Sequence, residues 1–323
     1  MSFGCRDRLT TMAMPTAQIG DEHELLAAAK EGDERAFAEL VEPYRRALEV
    51  HCYRMLGSLH DAEDVTQETL LKAWRSLDRF ERRASVQTWL YRIATNACLD
   101  EIDRRPRRAE PAIDPYPDSR LADAVSPVLD PAARYAQREG IELAFLTSIQ
   151  RLPGRQRVVL ILRDVLGWSA GEVAELLESS VAAVNSALQR ARAVVDRQVP
   201  ARPVVPPRAK ERDLLRRYIE AWERTDIDGL VALMREDAML SMPPQPAVVG
   251  ARAIGAFFAH VLGDLDLAAT AVLANGLPAV ALRERAEDGT LRPHRLLVLE
   301  LEDGHIVRLH AYRGKRLIDA FGE

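Results

Sequence analysis

Cysteine, aromatic residues and long apolar runs are all scarce in this chain of 323 residues. The three cysteines, Cys5, Cys52 and Cys98, lie far apart, with no CxxC spacing and no cysteine–histidine cluster. Their distribution argues against a disulfide framework or a zinc site and suits a reducing compartment. Apolar runs such as residues 158–162 are too short to cross a membrane. We therefore expect a cytoplasmic protein that has no membrane segment, no metal and no cofactor.

Charge is unevenly distributed, although the net charge of the whole chain is only −5 at pH 7. Residues 21–68 contain 13 acidic and 5 basic residues, whereas residues 79–108 contain 8 basic and 4 acidic residues. This asymmetry indicates two surfaces of opposite charge, and the basic one suits a phosphate backbone. Solvated helix faces explain the charges equally well when charge is considered alone.

Helical periodicity begins at Asp21 and continues to about Arg105. One apolar stripe follows the i, i+3, i+4, i+7, i+11 spacing of a helix face: Phe37, Leu40, Val41, Tyr44 and Leu48. Ser58 and Asp61 form the capping pattern that opens the next helix. A third helix is predicted from Ser85 to the residues before Pro106. These segments predict an all-α domain.

A proline-rich linker and a second helical unit follow. Six prolines between residues 106 and 131 indicate a partly extended linker. Ser169–Glu172 is a full capping box for a short helix, and Glu178–Ser180 provides a tight turn. The next helix places Val184, Leu188 and Ala191 inward. Two helices joined by such a turn predict a helix-turn-helix.

The outer face of that second helix has the side chains that read DNA. Asn, Gln and Arg can bind base edges through two hydrogen bonds, Arg also holds phosphates, and small residues let the backbone approach the groove. An ordinary helical hairpin is the alternative. The candidate residues for DNA contact are Ala182, Ala183, Asn185, Ser186, Gln189, Arg190 and Arg192.

The C-terminal part changes from helices to strands after a second proline-rich break at residues 200–207. Asp288-Gly289 and Asp303-Gly304 are hairpin signals. Helices followed by an antiparallel meander predict an α+β domain. The predicted strands are Leu267–Ala274, Ala279–Arg285, His294–Glu302 and Ile306–Tyr312.

Several motifs resemble a known family. The stretch Asp61–Trp74 (DAEDVTQETLLKAW), with Leu77–Phe80 and Thr88–Asn96 after it, strongly resembles region 2 of the sigma-70 family, in its compact extracytoplasmic-function group. The resemblance to region 4 of that group rests on Leu152–Val158, Gly167–Val173 and Val184–Arg192. We therefore predict four units: region 2 at 21–106, the linker at 107–137, region 4 at 138–198 and a C-terminal domain at 211–323.

The resemblance implies roles for particular residues. The helix with the DAEDVTQET motif would bind the clamp of core RNA polymerase, and region 4 would contact the flap and read the −35 element. The polymerase contacts implied are Asp61, Asp64, Gln67, Glu68 and Lys72. The −10 contacts implied are Arg79, Phe80, Arg82, Arg83, Ser85, Tyr91, Arg92 and Asn96. We expect one or two of the aromatic residues in this segment to belong to the core, Trp89 first.

The C-terminal domain resembles the cone-shaped SnoaL-like fold of polyketide cyclases and ketosteroid isomerase, on the order of its elements and on Ser241–Pro244 and Gly250–Ile254. Enzymes of that fold place an acid or base in an apolar cavity. The candidates for that role are Asp226, Asp237, His294 and His310, for which a structural role is the favoured interpretation. Four aromatic residues line either a core or a pocket: Trp222, Phe257, Phe258 and Tyr312.

The sequence thus predicts two all-α domains and a cone-fold α+β domain in an alternative sigma factor, not an enzyme. Its expected partners are core RNA polymerase, promoter DNA and, as an open question, an anti-sigma factor, with the C-terminal domain modulating activity. One alternative is a cyclase or isomerase fused to a DNA-binding module. Another is a helix-turn-helix regulator that works without polymerase, which leaves Asp61–Trp74 unexplained.

Overall fold

The computed structural model describes residues 16–82, 84–104, 113–122, 143–197, 209–262 and 265–322. Its N-terminal helical domain begins at Thr16, earlier than the expected Asp21. A short 3-10 turn, Leu77–Arg79, follows the third helix. The helices are α1 (Thr16–Lys30), α2 (Glu34–Leu56), α3 (Leu59–Ser76) and α4 (Val86–Arg104).

Capping residues fix where α2 and α3 begin and end. Asp33 accepts hydrogen bonds from the backbone of Arg35 and Ala36 and so opens α2. Gly57 ends α2 in the left-handed conformation, at φ +71°, which glycine adopts without strain. The Ser58 side chain then accepts a hydrogen bond from the Asp61 amide, which confirms the predicted cap of α3.

The centre of this domain contains an ionisable group, His51, that is fully buried. Its Nε2 lies 3.0 Å from the Thr95 hydroxyl. Burial, helped by the charge of Arg54, lowers the pKa of His51 to about 3. The folded protein therefore holds this imidazole neutral under conditions in which the unfolded chain protonates it.

We expect His51 to make stability depend on pH on the acidic side of neutrality. Because its folded pKa is below the unfolded value of about 6.5, its contribution is complete above pH 6.5 and falls as the pH drops towards 3. Between pH 6.5 and 5 the loss is about 2 kcal/mol. Urea unfolding at several pH values measures it. H51Q should flatten the curve, whereas H305Q, at an exposed histidine, should leave it unchanged.

The helix-turn-helix domain has the predicted caps. Ser169 and Glu172 form a complete capping box at the start of its third helix. Gly167, at φ +72°, ends the preceding helical segment, which finishes in a π-helical turn, Ile161–Val165. Val184, Leu188 and Ala191 are buried, as predicted. The helices are α6 (Leu143–Gln150), α7 (Gly154–Leu160), α8 (Ala170–Leu176) and α9 (Val181–Val195), and a short α5 (Ser119–Ala122) precedes them.

A buried arginine from the motif Leu152–Val158 (LPGRQRV) joins the two helical domains. Arg157 donates to the backbone oxygens of Ile149, Gln150 and Leu152, at 3.0, 2.8 and 3.1 Å, at the end of α6. It also donates to the carbonyl of Met55 in α2. The motif that resembles region 4 therefore includes a structural anchor.

The C-terminal domain consists of a six-stranded sheet and the helices that pack on it. The strand order is β2-β1-β6-β5-β4-β3, with β1 parallel to β6 and every other neighbouring pair antiparallel. Its helices are α10 (Ala209–Glu223), α11 (Ile227–Ala232), α12 (Ala251–Leu262) and α13 (Lys315–Asp319). Its strands are β1 (Met234–Met242), β2 (Gln245–Val249), β3 (Leu267–Ala274), β4 (Leu277–Arg285), β5 (Leu291–Glu302) and β6 (His305–Tyr312).

The two faces of this sheet belong to different hydrophobic cores. Val280 and Leu297 pack with α10, α11 and α12 inside the C-terminal domain. Ala281 and Val298 belong to the core that is continuous with the helical domains. The alternation of side chains along a strand thus lets one sheet serve two cores. Among the described residues, no helix is long and apolar enough to span a membrane, and no side-chain cluster could hold a metal.

Candidate polymerase and promoter interfaces

Helix α3 presents the predicted polymerase contacts on its outer face. Ala62, Val65 and Ala73 are buried on its inner side. On the outer face Glu68 pairs with Lys72 at 2.8 Å. Leu71 lies on that face with 56% of its surface exposed, an apolar residue that the sequence reading did not select. The outer face also contains the remaining predicted residues, Asp61, Asp64 and Gln67.

The C-terminal domain occupies part of that face. Helix α13 contacts both β5 and α3. The Arg316 guanidinium lies 2.7 Å from a Glu63 carboxylate oxygen and 3.1 Å from one of Asp64. Glu63 is also held by Arg120 of α5, at 2.9 Å. Exposed ion pairs of this kind stabilise weakly, so the contact can be displaced.

Two aromatic residues expected at the −10 surface lie in the core instead. Phe80 is 6% exposed and Tyr91 3% exposed, whereas Trp89, the residue expected inside, is only half-buried. Trp89 stacks on Phe80 with ring centroids 4.7 Å apart, and Tyr91 packs against His51 at 5.1 Å. Tyr91 lies inside because it shares one face of α4 with buried Ala94, Thr95 and Cys98. The arginines that lie between these aromatic residues in the sequence therefore do not mark the aromatic side chains as exposed.

The polar residues of the −10 set are at the surface. Arg79, Arg82 and Asn96 are exposed, while Arg83 lies outside the described residues. Exposed Ser85 accepts a hydrogen bond from the Thr88 amide at 3.1 Å. Arg92 pairs with Glu178, in the turn between α8 and α9, at 2.8 Å.

The predicted −35 reader is exposed along one face of α9. Arg190 donates to Ser186 of the same helix at 2.8 Å. Arg192 donates to both carboxylate oxygens of Asp164, at 2.8 and 2.6 Å, and these hydrogen bonds raise its pKa. Val181, at the helix start, is 47% exposed and was not selected from the sequence. All seven predicted side chains are exposed: Ala182, Ala183, Asn185, Ser186, Gln189, Arg190 and Arg192.

The linker segment Pro115–Asp118 (PYPD) binds the C-terminal domain to the helical domains. The Tyr116 amide donates to the Asn275 side-chain oxygen at 2.8 Å, and the Asn275 amide group donates to the Tyr53 hydroxyl at 3.0 Å. Asp118 accepts from the Gly276 amide at 3.0 Å. Asn275-Gly276 is the hairpin turn between β3 and β4, and this Asn-Gly pair is the sequence signal that could have identified it.

The acid and base candidates of the C-terminal domain are not brought together in one site. Asp226 caps α11 by accepting from the Gly229 amide, and exposed Asp237 pairs with Arg235. Burial lowers the pKa of His294. His310 of β6 lies 2.8 Å from Glu300 of β5, the strand that also contains His294. Among the aromatic candidates, Trp222 and Phe258 pack together in the core, with ring centroids 5.1 Å apart.

Comparisons with known proteins agree with these three domains. Three family models match: Sigma-70 region 2 at residues 40–108, Sigma-70 region 4 at 142–194 and the SnoaL-like domain at 215–309. The solved structure of the extracytoplasmic function sigma factor SigJ of Mycobacterium tuberculosis has a TM-score of 0.56 and 21% identity. It covers 88% of this chain and 98% of its own, which shows a shared fold.

The fold and its exposed recognition helix define a transcription regulator built from two helical modules and a SnoaL-like domain. The ECF RNA polymerase sigma factor SigG of Mycobacterium tuberculosis is 41% identical in an alignment 317 positions long, which covers 90% of this chain and 85% of SigG. SigW of Bacillus subtilis is 33% identical in an alignment 183 positions long, which covers 53% of this chain and 92% of SigW. The chain belongs to the extracytoplasmic-function family of RNA polymerase sigma factors.

Proposed function

We propose that this chain binds core RNA polymerase through the outer face of α3 and directs it to promoters. In this proposal α9 reads the −35 element, and the polar surface around Arg79, Arg92 and Asn96 meets the −10 element. The main observation that supports this proposal is the exposed face of α9, in a chain that belongs to the sigma-factor family. The protein acts in the cytoplasm and catalyses no reaction itself. We retain the units 21–106, 107–137, 138–198 and 211–323 as its proposed domains.

The packed arrangement of the two readers differs from the one that a promoter requires. Arg92 and Glu178 form an ion pair, and the Tyr91 and Trp168 rings are 5.6 Å apart. Promoter elements named −35 and −10 are separated by about 25 base pairs, or about 85 Å of duplex. The region 2–region 4 interface must therefore open on promoter DNA. The 20 residues between Ala122 and Leu143 can span roughly 70 Å when extended.

The C-terminal domain would restrain this opening. Arg316 pairs with Asp64, a proposed polymerase contact, and the linker is fastened to Asn275. Polymerase and the C-terminal domain would therefore compete for α3. A separate anti-sigma factor, if the protein has one, would bind the same exposed face.

An enzymatic role for the C-terminal domain is the second candidate. The SnoaL-like family model supports it, since that family includes enzymes. The positions of Asp226 and Asp237, one in a helix cap and the other in a surface ion pair, do not support it. We therefore assign the domain a regulatory role.

R190A tests the promoter-reading role directly. Loss of one base-reading arginine costs about 1–3 kcal/mol, so transcription from a −35-dependent promoter should fall about 5- to 150-fold. The measurement is in vitro transcription with core polymerase, on a promoter selected from a random library by the wild-type holoenzyme.

The matched control for R190A is R217A, because Arg217 is exposed on α10 and far along the chain from the reader. R217A should transcribe at the wild-type level. Equal activity of R190A and R217A on that promoter would remove α9 from the proposal.

A further inference from the structure

A cavity of about 550 Å³ lies where the linker, α6 and the C-terminal domain meet. The linker contributes Ile113 and Asp114, and α6 contributes Leu143 and Thr147. The C-terminal domain contributes the ends of β1, β5 and β6 and the start of α13. Because all three parts form its walls, the cavity exists only while they are packed together.

One wall of the cavity is formed by a buried arginine that has no ionic partner among the described residues. Arg295 is 7% exposed, and its one hydrogen-bond contact within the described part of the chain is the Met242 sulfur, at 3.9 Å from Nη1. No carboxylate of a described residue lies within salt-bridge distance of it. Burial of an unpaired charge is costly, since the guanidinium loses water and gains no counter-charge. An anion that entered the cavity and paired with Arg295 would supply the missing counter-charge.

A second positive charge faces the same space. Arg313 lines the cavity at an exposed position and has no acidic partner among the described residues. After burial, the charge of Arg313 is the cause that lowers the pKa of Arg295. The acidic residue in the wall, Asp114, already accepts a hydrogen bond from the Leu59 amide at 3.2 Å. Asp114 is thus the one carboxylate that the described residues contribute to the lining, and no ion pair joins it to Arg295 or Arg313.

The remaining wall combines apolar and polar groups. Ile113, Leu143 and Leu317 offer apolar surface, and Thr147, Ser241 and His310 offer hydrogen-bonding groups. The volume is within the range of about 300–1,000 Å³ that small-molecule sites occupy. An arginine that can bind a carboxylate through two hydrogen bonds, set beside apolar walls, recognises an acid with an apolar body.

We propose that this cavity binds a small organic anion, whose carboxylate pairs with Arg295 and Arg313 and whose apolar body packs on Ile113, Leu143 and Leu317. A ligand that binds only the packed arrangement stabilises it. Such a ligand would hold α13 on α3 and so lower the affinity of this chain for polymerase, an effect that rests on the proposed function. The site itself does not depend on that function.

Calorimetric titration of the full-length protein with 4-phenylbutyrate tests the site. The neutral 4-phenylbutyramide has the same body, and inorganic phosphate has the charge without the body. We expect the carboxylate to bind at least about tenfold more tightly than either, a difference of about 1.4 kcal/mol. Absence of carboxylate binding at millimolar concentration, or equal binding of phosphate, would overturn the proposal.

R295M distinguishes a binding arginine from a structural one. It keeps an unbranched apolar stem and removes the guanidinium with its charge, so carboxylate affinity should fall at least about tenfold. The melting temperature of the unliganded protein should stay the same or rise, because an unpaired buried charge is lost. R292M, at an exposed arginine of the same strand outside the cavity, should bind like the wild type. A lowered melting temperature with unchanged binding would show that Arg295 is structural.

Discussion

Replacement of Asn275 by alanine should release the C-terminal domain from the helical domains and raise the affinity for core RNA polymerase. Asn275 is 2% exposed and connects the Tyr116 amide to the Tyr53 hydroxyl. Alanine removes both hydrogen bonds and leaves the buried Tyr116 amide without its acceptor. Asn275 also has a φ of +53°, a conformation that alanine adopts at a cost of about 1–2 kcal/mol.

The expected loss of docking free energy is about 2–4 kcal/mol, from the unpaired Tyr116 amide and the lost hydrogen bond to Tyr53, because the backbone strain destabilises the hairpin whether the domain is docked or free. Since docking places Arg316 on Asp64, the loss appears as tighter binding of polymerase. The affinity gain for N275A should reach at least about tenfold, the equivalent of 1.4 kcal/mol. Fluorescence anisotropy with labelled sigma factor and core polymerase measures it.

The control for N275A is D303A. Asp303 has a similar φ, +50°, in the hairpin turn between β5 and β6, where it is exposed. D303A introduces the same backbone strain without touching the linker, and it should bind polymerase like the wild type. If N275A and D303A bind equally well, docking through Asn275 does not limit access to α3.

Replacement of Arg157 by methionine should loosen the helix-turn-helix domain. Arg157 is 5% exposed and bonds to the carbonyls of Ile149, Gln150 and Leu152 at the end of α6. Methionine fills much of the volume but donates no hydrogen bond. The Gln150 and Leu152 carbonyls lose the arginine, as does the Met55 carbonyl in α2, whereas the Ile149 carbonyl keeps the hydrogen bond from the Leu152 amide. The expected loss of local stability is on the order of 3–5 kcal/mol.

Hydrogen exchange measures this loss in the α7 segment Val158–Leu160, whose residues are buried. A loss of 3 kcal/mol or more corresponds to exchange at least about 100-fold faster. R155M, at an exposed arginine of the same helix, should leave exchange unchanged. Unchanged exchange in R157M would mean that packing alone holds α6, α7 and α2 together.

Local signals in the sequence were enough to predict the helices and turns that have clear caps and clear periodicity. The capping box at Ser169 and Glu172 and the buried stripe of α9 are present as predicted. Both are local features, because capping and helical periodicity depend on residues a few positions apart. The Asp288-Gly289 and Asp303-Gly304 turns are formed for the same reason.

Strands β1 and β2 were not predicted, and their pairing explains why. β1 runs parallel to β6, which is far along the chain, and no turn signal announces a parallel partner. Its first half contains Arg235, Glu236 and Asp237, all exposed, which breaks the alternation expected of a strand. Only the completed sheet shows why this segment is extended.

The candidate site was predictable where exposure follows helical periodicity and unpredictable where it depends on tertiary contacts. Exposure of the α9 residues followed from the inward stripe. Burial of Phe80 and Tyr91 depends on contacts with Trp89 and His51. The contact between Tyr116 and Asn275 joins residues 159 positions apart, a distance beyond any local pattern.

In vitro transcription with purified core polymerase and the full-length chain is the most direct test of the proposed role. The template would be a promoter library, with polymerase alone as the reference. The structure and the family lead us to expect transcripts from particular start sites only when both proteins are present, and more of them with N275A. Polymerase-dependent transcripts that do not change when this chain is added, across the whole library, would contradict its role as an initiation factor.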